Sequence, residues 1–413
     1  MATPVRIIST DDHVLEPPHL WQARLPAKYK DIAPRVERLG LSAPRWRNGR
    51  LVVDEDTAGK PCDWWLYEDL RRPLPITYAA VGIPKDRLGE GGTTFEDVRR
   101  GCWDPAERLK DMDVNSVEAS LCFPNVLPRF CGQTFLEAHD KELALLCVRA
   151  YNDWMHEEWA GPSGGRLIHC SIVPLWDSSL AAEEVRRNAA RGGRAVTFTE
   201  LPANLGLPSI HDADRYWDPF FSACEETGTV ICLHIGSSSK FPVTSADAPH
   251  AVSGMLLSLN AMASMCDYLF SGLFERFPKL TIAYSEGQIG WIPYILERAD
   301  RLWREQEMVV NRDLVPRPPS EYYYEHIYGC YISDAHGLAS IDVVGEDNVT
   351  FETDYPHTDG TWPNTAEVAR RELAHLTDVQ REKILRLNAI KMLSLHPDRE
   401  YPCPSEEVRP DAR

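Results

Sequence analysis

Residues 194–235 read RAVTFTELPANLGLPSIHDADRYWDPFFSACEETGTVICLHI, and the order of patterns in this stretch decides the fold. A β-branched run, RAVTFT (194–199), comes first. A helical stretch over 214–227 follows and stops at Gly228, a residue that accepts the left-handed turn ending a helix. A second apolar run, TVICLHI (229–235), closes the unit. Two strands joined this way run parallel, because a parallel pair needs a crossover of about a dozen residues or more. The alternation continues in both directions. Strand-like runs recur at 5–9 (VRIIS), 116–123 (SVEASLCF), 167–173 (LIHCSIV), 280–285 (LTIAYS), 326–332 (HIYGCYI) and 348–353 (NVTFET). Helix signals lie between them. Asp104-Pro105 is an N-cap followed by proline at the first helical position, and 178–191 ends at Gly192-Gly193. Residues 251–276 hold one or two helices, and 363–376 and 378–395 supply two more. Eight such strands predict an α/β fold, a closed (β/α)8 TIM barrel. The competing doubly wound sheet would carry a GxGxxG first turn, which this sequence lacks.

The chain has 413 residues, 43% hydrophobic and 26% charged, which is a globular composition with enough length for a large core. Its 62 acidic and 44 basic side chains leave a net charge of −18. That balance argues against nucleic acid or an anionic membrane as partner. No apolar run suits a signal peptide or a membrane span. The eleven cysteines form no CxxC pair. Cys122, Cys170, Cys232 and Cys330 sit in apolar runs and read as reduced core residues of a cytoplasmic protein. A small-molecule substrate and a homodimer are the expected partners.

The barrel is expected over 1–396 as one domain, with an insertion at about 40–100 in the first βα loop. That insertion carries Trp46, Trp64, Trp65 and Tyr67. It reads as a lid or substrate wall over the active face, or as a surface excursion or oligomer arm. With Trp362, its aromatic residues suggest a flat ligand. Residues 397–413 read as an extended C-terminal tail.

Chemistry-bearing side chains gather at the strand ends, where (β/α)8 enzymes keep their active sites. Asp11 and His13 are two apart after strand 1, so they share a side and form half a metal site. His234 ends strand 5, and Glu286 ends strand 6. Asp354 leaves strand 8, with His357 and Asp359 just beyond. Each alone has a bland reading: a turn former, a core histidine or a salt bridge. Together they mark four strand ends with metal- or proton-competent groups. His211, His250 and His336 lie in loops from which a pocket is within reach.

The motifs Asp11-x-His13-x-x-Glu16-Pro17-Pro18, DPAERLKDMD (104–113), YNDW (151–154), His234, SEGQIGWIPYILERAD (285–300), TDYPHTDGTWP (353–363) and LNAIKML (387–393) run along nearly the whole chain. In this order the chain resembles the amidohydrolase superfamily, in particular the amidohydrolase family 2 group. That group also includes aminocarboxymuconate-semialdehyde and resorcylate-type decarboxylases. The resemblance implies one divalent metal, Zn²⁺ first with Mn²⁺ or Fe²⁺ as alternatives, held by Asp11, His13, His234 and Asp354. It implies Asp354 as the proton shuttle, with Glu286 and His357 in reserve. Glu16 and Glu286 are further carboxylates that would either ligate or assist. Asp11 stands where many members have histidine, as does Glu286. Thr199 and Glu200 stand where binuclear members carry a carboxylated lysine, which points to a single metal. The expected reaction is hydrolysis of an amide, lactone or related C–N or C–O bond. Non-oxidative decarboxylation of an aromatic or enoic acid is the alternative, and a non-catalytic scaffold barrel is a third reading.

Overall fold

A computed structural model describes residues 5–47 and 50–396. The tail expected at 397–413 lies outside the described residues, as does the side chain of Trp46. Eight parallel strands close a barrel: β1 (Ile7–His13), β2 (Val117–Phe123), β3 (Leu167–Ser171), β4 (Ala195–Phe198), β5 (Val230–His234), β6 (Ile282–Ser285), β7 (Ile327–Tyr331) and β8 (Val349–Phe351). Each falls on a run read from the sequence. β1 pairs with β2 on one side and β8 on the other, which closes the ring.

Alternation along the strands builds two layers. Ile8, Leu121, Cys170, Val230, Cys232, Ala283 and Tyr328 fill the barrel interior. Ile390, Met392 and Leu393 of the last helix pack against this interior layer. Val117, Val196, Phe198, Ile231, Tyr284 and Phe351 face outward into the larger core under the helices. The helix Pro105–Val114 starts as expected, with the Asp104 carboxylate accepting from the N–H groups of Ala106 and Glu107. The helix Asp218–Thr227 ends at Gly228, which has φ 64°. Three short helices, not one or two, occupy 250–276, because Leu256–Leu257 and Ser271–Gly272 break the run. The helix expected from Pro363 begins at Thr365.

The 40–100 region is more ordered than a loop. Strands Arg35–Leu41, Lys60–Tyr67 and Leu70–Pro73 form an antiparallel sheet, with a small hairpin of Arg45–Arg47 and Arg50–Val52. Its aromatic residues are packing elements. Trp65 is buried edge-on against Trp21 at 5.3 Å, Tyr67 packs on Phe135, and Trp64 sits in a separate small core with Leu41, Cys62 and Leu66. The flat-ligand reading of these residues is therefore corrected: burial claimed them, and Trp362 stacks beneath Arg99. The ten described cysteines are all free, and all but Cys266 are buried.

Candidate metal centre

β1 carries a one-residue bulge that aims the first ligands. Ser9 lies opposite Ser120, but Asp12 lies opposite Cys122, so three steps on β1 match two on β2. Consecutive residues Thr10 and Asp11 consequently both face inward. Thr10 bonds Thr350 at 2.9 Å, while Asp11 meets His13 and His234. Asp12 turns the other way. Its carboxylate accepts from Ser9, Ser120, Thr353 and the Tyr355 N–H, tying β1 to β2 and to the segment after β8.

The side chains named at the strand ends converge. His13 Nε2 is 3.5 Å from Asp11 Oδ1 and 3.6 Å from Asp354 Oδ1. His234 Nε2 is 3.5 Å from Asp11 Oδ2 and 3.7 Å from Glu286 Oε2. The two imidazole Nε2 atoms face one another at 3.1 Å. His13 Nδ1 lies 3.1 Å from the Pro124 carbonyl and His234 Nδ1 lies 2.6 Å from that of Ile235. A carbonyl only accepts, so each Nδ1 carries the proton and each Nε2 presents a lone pair. Two opposed lone pairs with no proton between them repel. Asp11 adds two buried carboxylate oxygens without a hydrogen-bond donor and Asp354 Oδ2 a third, while Asp354 Oδ1 is held by His357. Buried polar atoms in proteins almost always have partners. A divalent cation beside the facing Nε2 atoms would supply the partner these atoms lack, and the mixed imidazole and carboxylate donor set suits Zn²⁺, Mn²⁺ or Fe²⁺. Asp11, His13 and His234 form one candidate ligand group, and His13, Glu286, Asp354 and His357 form an overlapping one.

The electrostatics favour a positive charge at this point. Burial raises the Asp11 carboxyl well above its usual range, and the nearby Glu352, Glu286 and Asp354 push it further. Burial also lifts Asp354, to about 8. Burial lowers His13 and His234, keeping both neutral as ligands must be. For His357 burial works against the charged form, but Asp354 and Glu286 outweigh it and push the ring up to about 10. Its Nδ1 lies 2.9 Å from Asp354 Oδ1 and 3.7 Å from Glu286 Oε1, while Asn125 Oδ1 sits 3.2 Å from its Nε2.

A cavity of about 550 Å³ opens onto Glu286, Asp354 and His357. Tyr78, Phe130, Ile235, Phe241 and Leu257 give it apolar walls, with His250 and Asp359 also lining it. Phe130 stacks on His234 at 4.2 Å. The inserted region thus touches the pocket through Thr77 and Tyr78, not through its tryptophans. A neighbouring cavity shares Tyr78, Phe130 and Phe241 and carries Arg72 and Arg129. Other sequence candidates lie apart. Glu16 accepts from the N–H groups of Asn125, Val126 and Leu127 at 2.7, 3.1 and 3.3 Å, so it anchors the loop after β2. His211 pairs with Asp267 and His336 is exposed.

Two residues escaped the sequence reading. Glu352 lies fully buried directly after β8, two positions before Asp354. It accepts from the Glu286 N–H at 3.1 Å and from Cys330 at 2.7 Å. That spacing of two was a visible signal. Arg108, from the DPAERLKDMD motif, is fully buried, donates to the His13 carbonyl and stacks on Tyr355 at 4.0 Å. Its reach across 95 residues left no local trace.

A closed (β/α)8 barrel whose strand ends join histidines and carboxylates is the frame of a metal-dependent enzyme. The amidohydrolase family model matches residues 19–395, and the chain belongs to that family. A curated relative, 2-amino-3-carboxymuconate-6-semialdehyde decarboxylase of Dictyostelium discoideum, is 23% identical over 76% of this chain and 83% of its own length. An amidohydrolase of Mycobacterium avium subsp. paratuberculosis superposes with TM-score 0.68 at 22% identity, covering 95% of this chain and 98% of its own. A dihydroxybenzoic acid decarboxylase of Polaromonas, solved with manganese and the inhibitor 2-nitroresorcinol, gives TM-score 0.58 at 21% identity over 78% and 93%. No helix among the described residues is long and apolar enough to cross a membrane.

Proposed function

We propose that the protein is a metal-dependent, non-oxidative decarboxylase of a small aromatic or enoic carboxylic acid. The observation that carries this reading is the pocket wall. Arg72 and Arg129 stand in a cavity that shares Tyr78, Phe130 and Phe241 with the cavity over the ligand cluster; Arg129 is paired with Glu137, whereas Arg72 donates to the Val126 carbonyl and meets no carboxylate among the described residues. Cations beside flat apolar walls suit a planar acid, and hydrolysis of a neutral amide or lactone needs neither arginine. The decarboxylase relatives support the same choice over the hydrolysis that the sequence alone favours.

Asp11, His13, His234 and Asp354 would hold the divalent ion, which supplies Lewis acidity toward the acid's oxygens. The aromatic side chains orient the substrate plane, and Arg72 holds its negative charge. The bond between the substrate carbon and its carboxylate breaks, and the electron pair stays on that carbon. Asp354 gives the carbon a proton as CO₂ leaves. His357, within 2.9 Å of Asp354, and Glu286 on the same wall return a proton from solvent.

The test incubates metal-loaded protein with hydroxybenzoic and muconate-type acids in ¹⁸O-labelled water. The reading expects one CO₂ per acid consumed and no ¹⁸O in the organic product. Label in the product without CO₂ would assign hydrolysis instead.

A further inference from the structure

A second cavity, of about 330 Å³, lies at the opposite end of the barrel. Leu167 and Ile168 at the start of β3, Arg194 just before β4, and residues 394–396 after the last helix all line it. These are N-terminal strand ends, so the cavity is remote from the metal centre. Its ionisable lining is His156, His169, His396, Arg191 and Arg194, with no carboxylate among the lining residues. In a chain of net charge −18, a cavity lined only by cationic or imidazole groups stands out.

Three details say that this lining lacks a partner. His169 is 4% exposed, and its Nε2 has no hydrogen-bond partner. Arg191 is already neutralised by Asp153 and Glu157, but no ion pair engages Arg194 among the described residues. His156, whose ring centroid is 3.7 Å from that of His169, sits on a π-helical turn, Met155–Ala160. Single π-turns recur at ligand sites. A metal does not fit: the His156 Nε2 is engaged by Asn188 Oδ1 at 3.2 Å, and no carboxylate or thiol lines the cavity to complete a ligand set.

We propose that this cavity is a binding site for a tetrahedral oxyanion of the phosphate class, either free phosphate or the phosphoryl group of a small metabolite. The donors come from three separate elements: β3 through His169, the 191–194 turn through Arg194, and the C-terminal segment through His396. Convergence from three sides matches a tetrahedral acceptor better than a planar carboxylate. The guanidinium of Arg194 supplies the charge, and His169 supplies a buried ring nitrogen that has no partner within the protein.

The experiment is calorimetric titration of the full metal-loaded chain with inorganic phosphate, with acetate as the planar comparison and phosphoserine as the phosphoryl monoester. Phosphate is expected to bind, acetate at least tenfold more weakly, and phosphoserine to bind only if the site accepts esters. R194Q and H169Q are each expected to weaken phosphate at least tenfold while leaving turnover at the metal centre unchanged. R194K, which keeps the charge, should recover part of the affinity. The His169 Cε1–H resonance should shift on phosphate addition, a readout that does not depend on how H169Q folds. Phosphate binding that survives R194Q and H169Q but vanishes in H13A would place the anion at the metal centre and overturn the proposal. No phosphate binding at millimolar concentration would overturn it equally.

Discussion

Replacing Asp354 by asparagine separates proton transfer from folding and from metal retention. Asp354 is fully buried, 3.6 Å from His13 Nε2 and 2.9 Å from His357 Nδ1. Asparagine keeps nearly the same volume and one ligand oxygen, but it carries no exchangeable acid proton. Loss of a positioned acid costs about 10²–10⁴ in rate. That is about 2.7–5.4 kcal/mol of transition-state stabilisation at about 1.36 kcal/mol per decade. Glu286 stands 3.7 Å from both His234 Nε2 and His357 Nδ1, and with Asp354 as the acid it only relays protons, so Glu286→Gln is expected to cost about tenfold or less. The assay is turnover at saturating metal, with metal content and the pH–rate profile measured on the same samples. Asp354→Asn should stay folded and metallated and lose its turnover. If it keeps wild-type turnover while metallated Glu286→Gln is dead, Glu286 is the proton carrier and the assignment is inverted.

Three further outcomes follow from the same geometry. His13→Ala and His234→Ala should each lose the divalent ion seen by elemental analysis, whereas His169→Ala should retain it; chelation should lower the melting temperature, since an ion at about 1,000 times its Kd stabilises by about 4 kcal/mol. Burial raises Glu200, at the end of β4, to about 8 against a reference of 4.5, so the folded state holds a proton that the unfolded chain releases. Stability on this account is highest below about pH 4.5 and falls as pH rises towards 8; Glu200→Gln should therefore gain melting temperature over the wild type progressively across that window, and a pH-independent difference would refute it. In the inserted region, Trp65→Ala should cost about 3–5 kcal/mol in denaturant unfolding because Trp65 is core, whereas Tyr78→Ala should raise KM with little loss of stability.

The barrel was legible because its signal is repetitive. Each strand is a short apolar run, and crossovers carry capping residues or glycines, so end errors of up to four residues, as at β1, did not alter the topology. The candidate ligands were legible because each lies at or just past the C-terminal end of a strand. The inserted sheet was not, because its strands, such as RVERLGL, alternate weakly and carry charge on half-exposed faces. Its tryptophans looked like a ligand surface since sequence records aromatic area but not which side of it is covered. Arg72 and Arg129 were missed for the complementary reason. An arginine in a polar stretch has no periodicity to betray it, and only the folded chain shows that both approach the cavities beside the metal centre.

Backbone conformation supplies the remaining part of the site. Glu286 and Asp354 sit at φ 53° and 50°, in the left-handed region that non-glycine residues rarely occupy. Such positions cost on the order of 1–3 kcal/mol each and persist only where surrounding structure enforces them. Here the enforcement is visible. The Glu286 N–H is held by Glu352 Oε2, and the Asp354 N–H by the Asp11 carbonyl at 3.1 Å. Glycine at either position would relieve the strain and remove a carboxylate. The left-handed turn takes the chain out of strand direction immediately after β6 and β8, so the side chain at the turn points over the barrel mouth instead of continuing the inward and outward alternation. Asp12 stabilises the same arrangement from behind by gripping the Tyr355 N–H at 3.1 Å. Glu286 and Asp354 are thus the two carboxylates that line both the cavity and the ligand cluster, and both are held in this strained conformation.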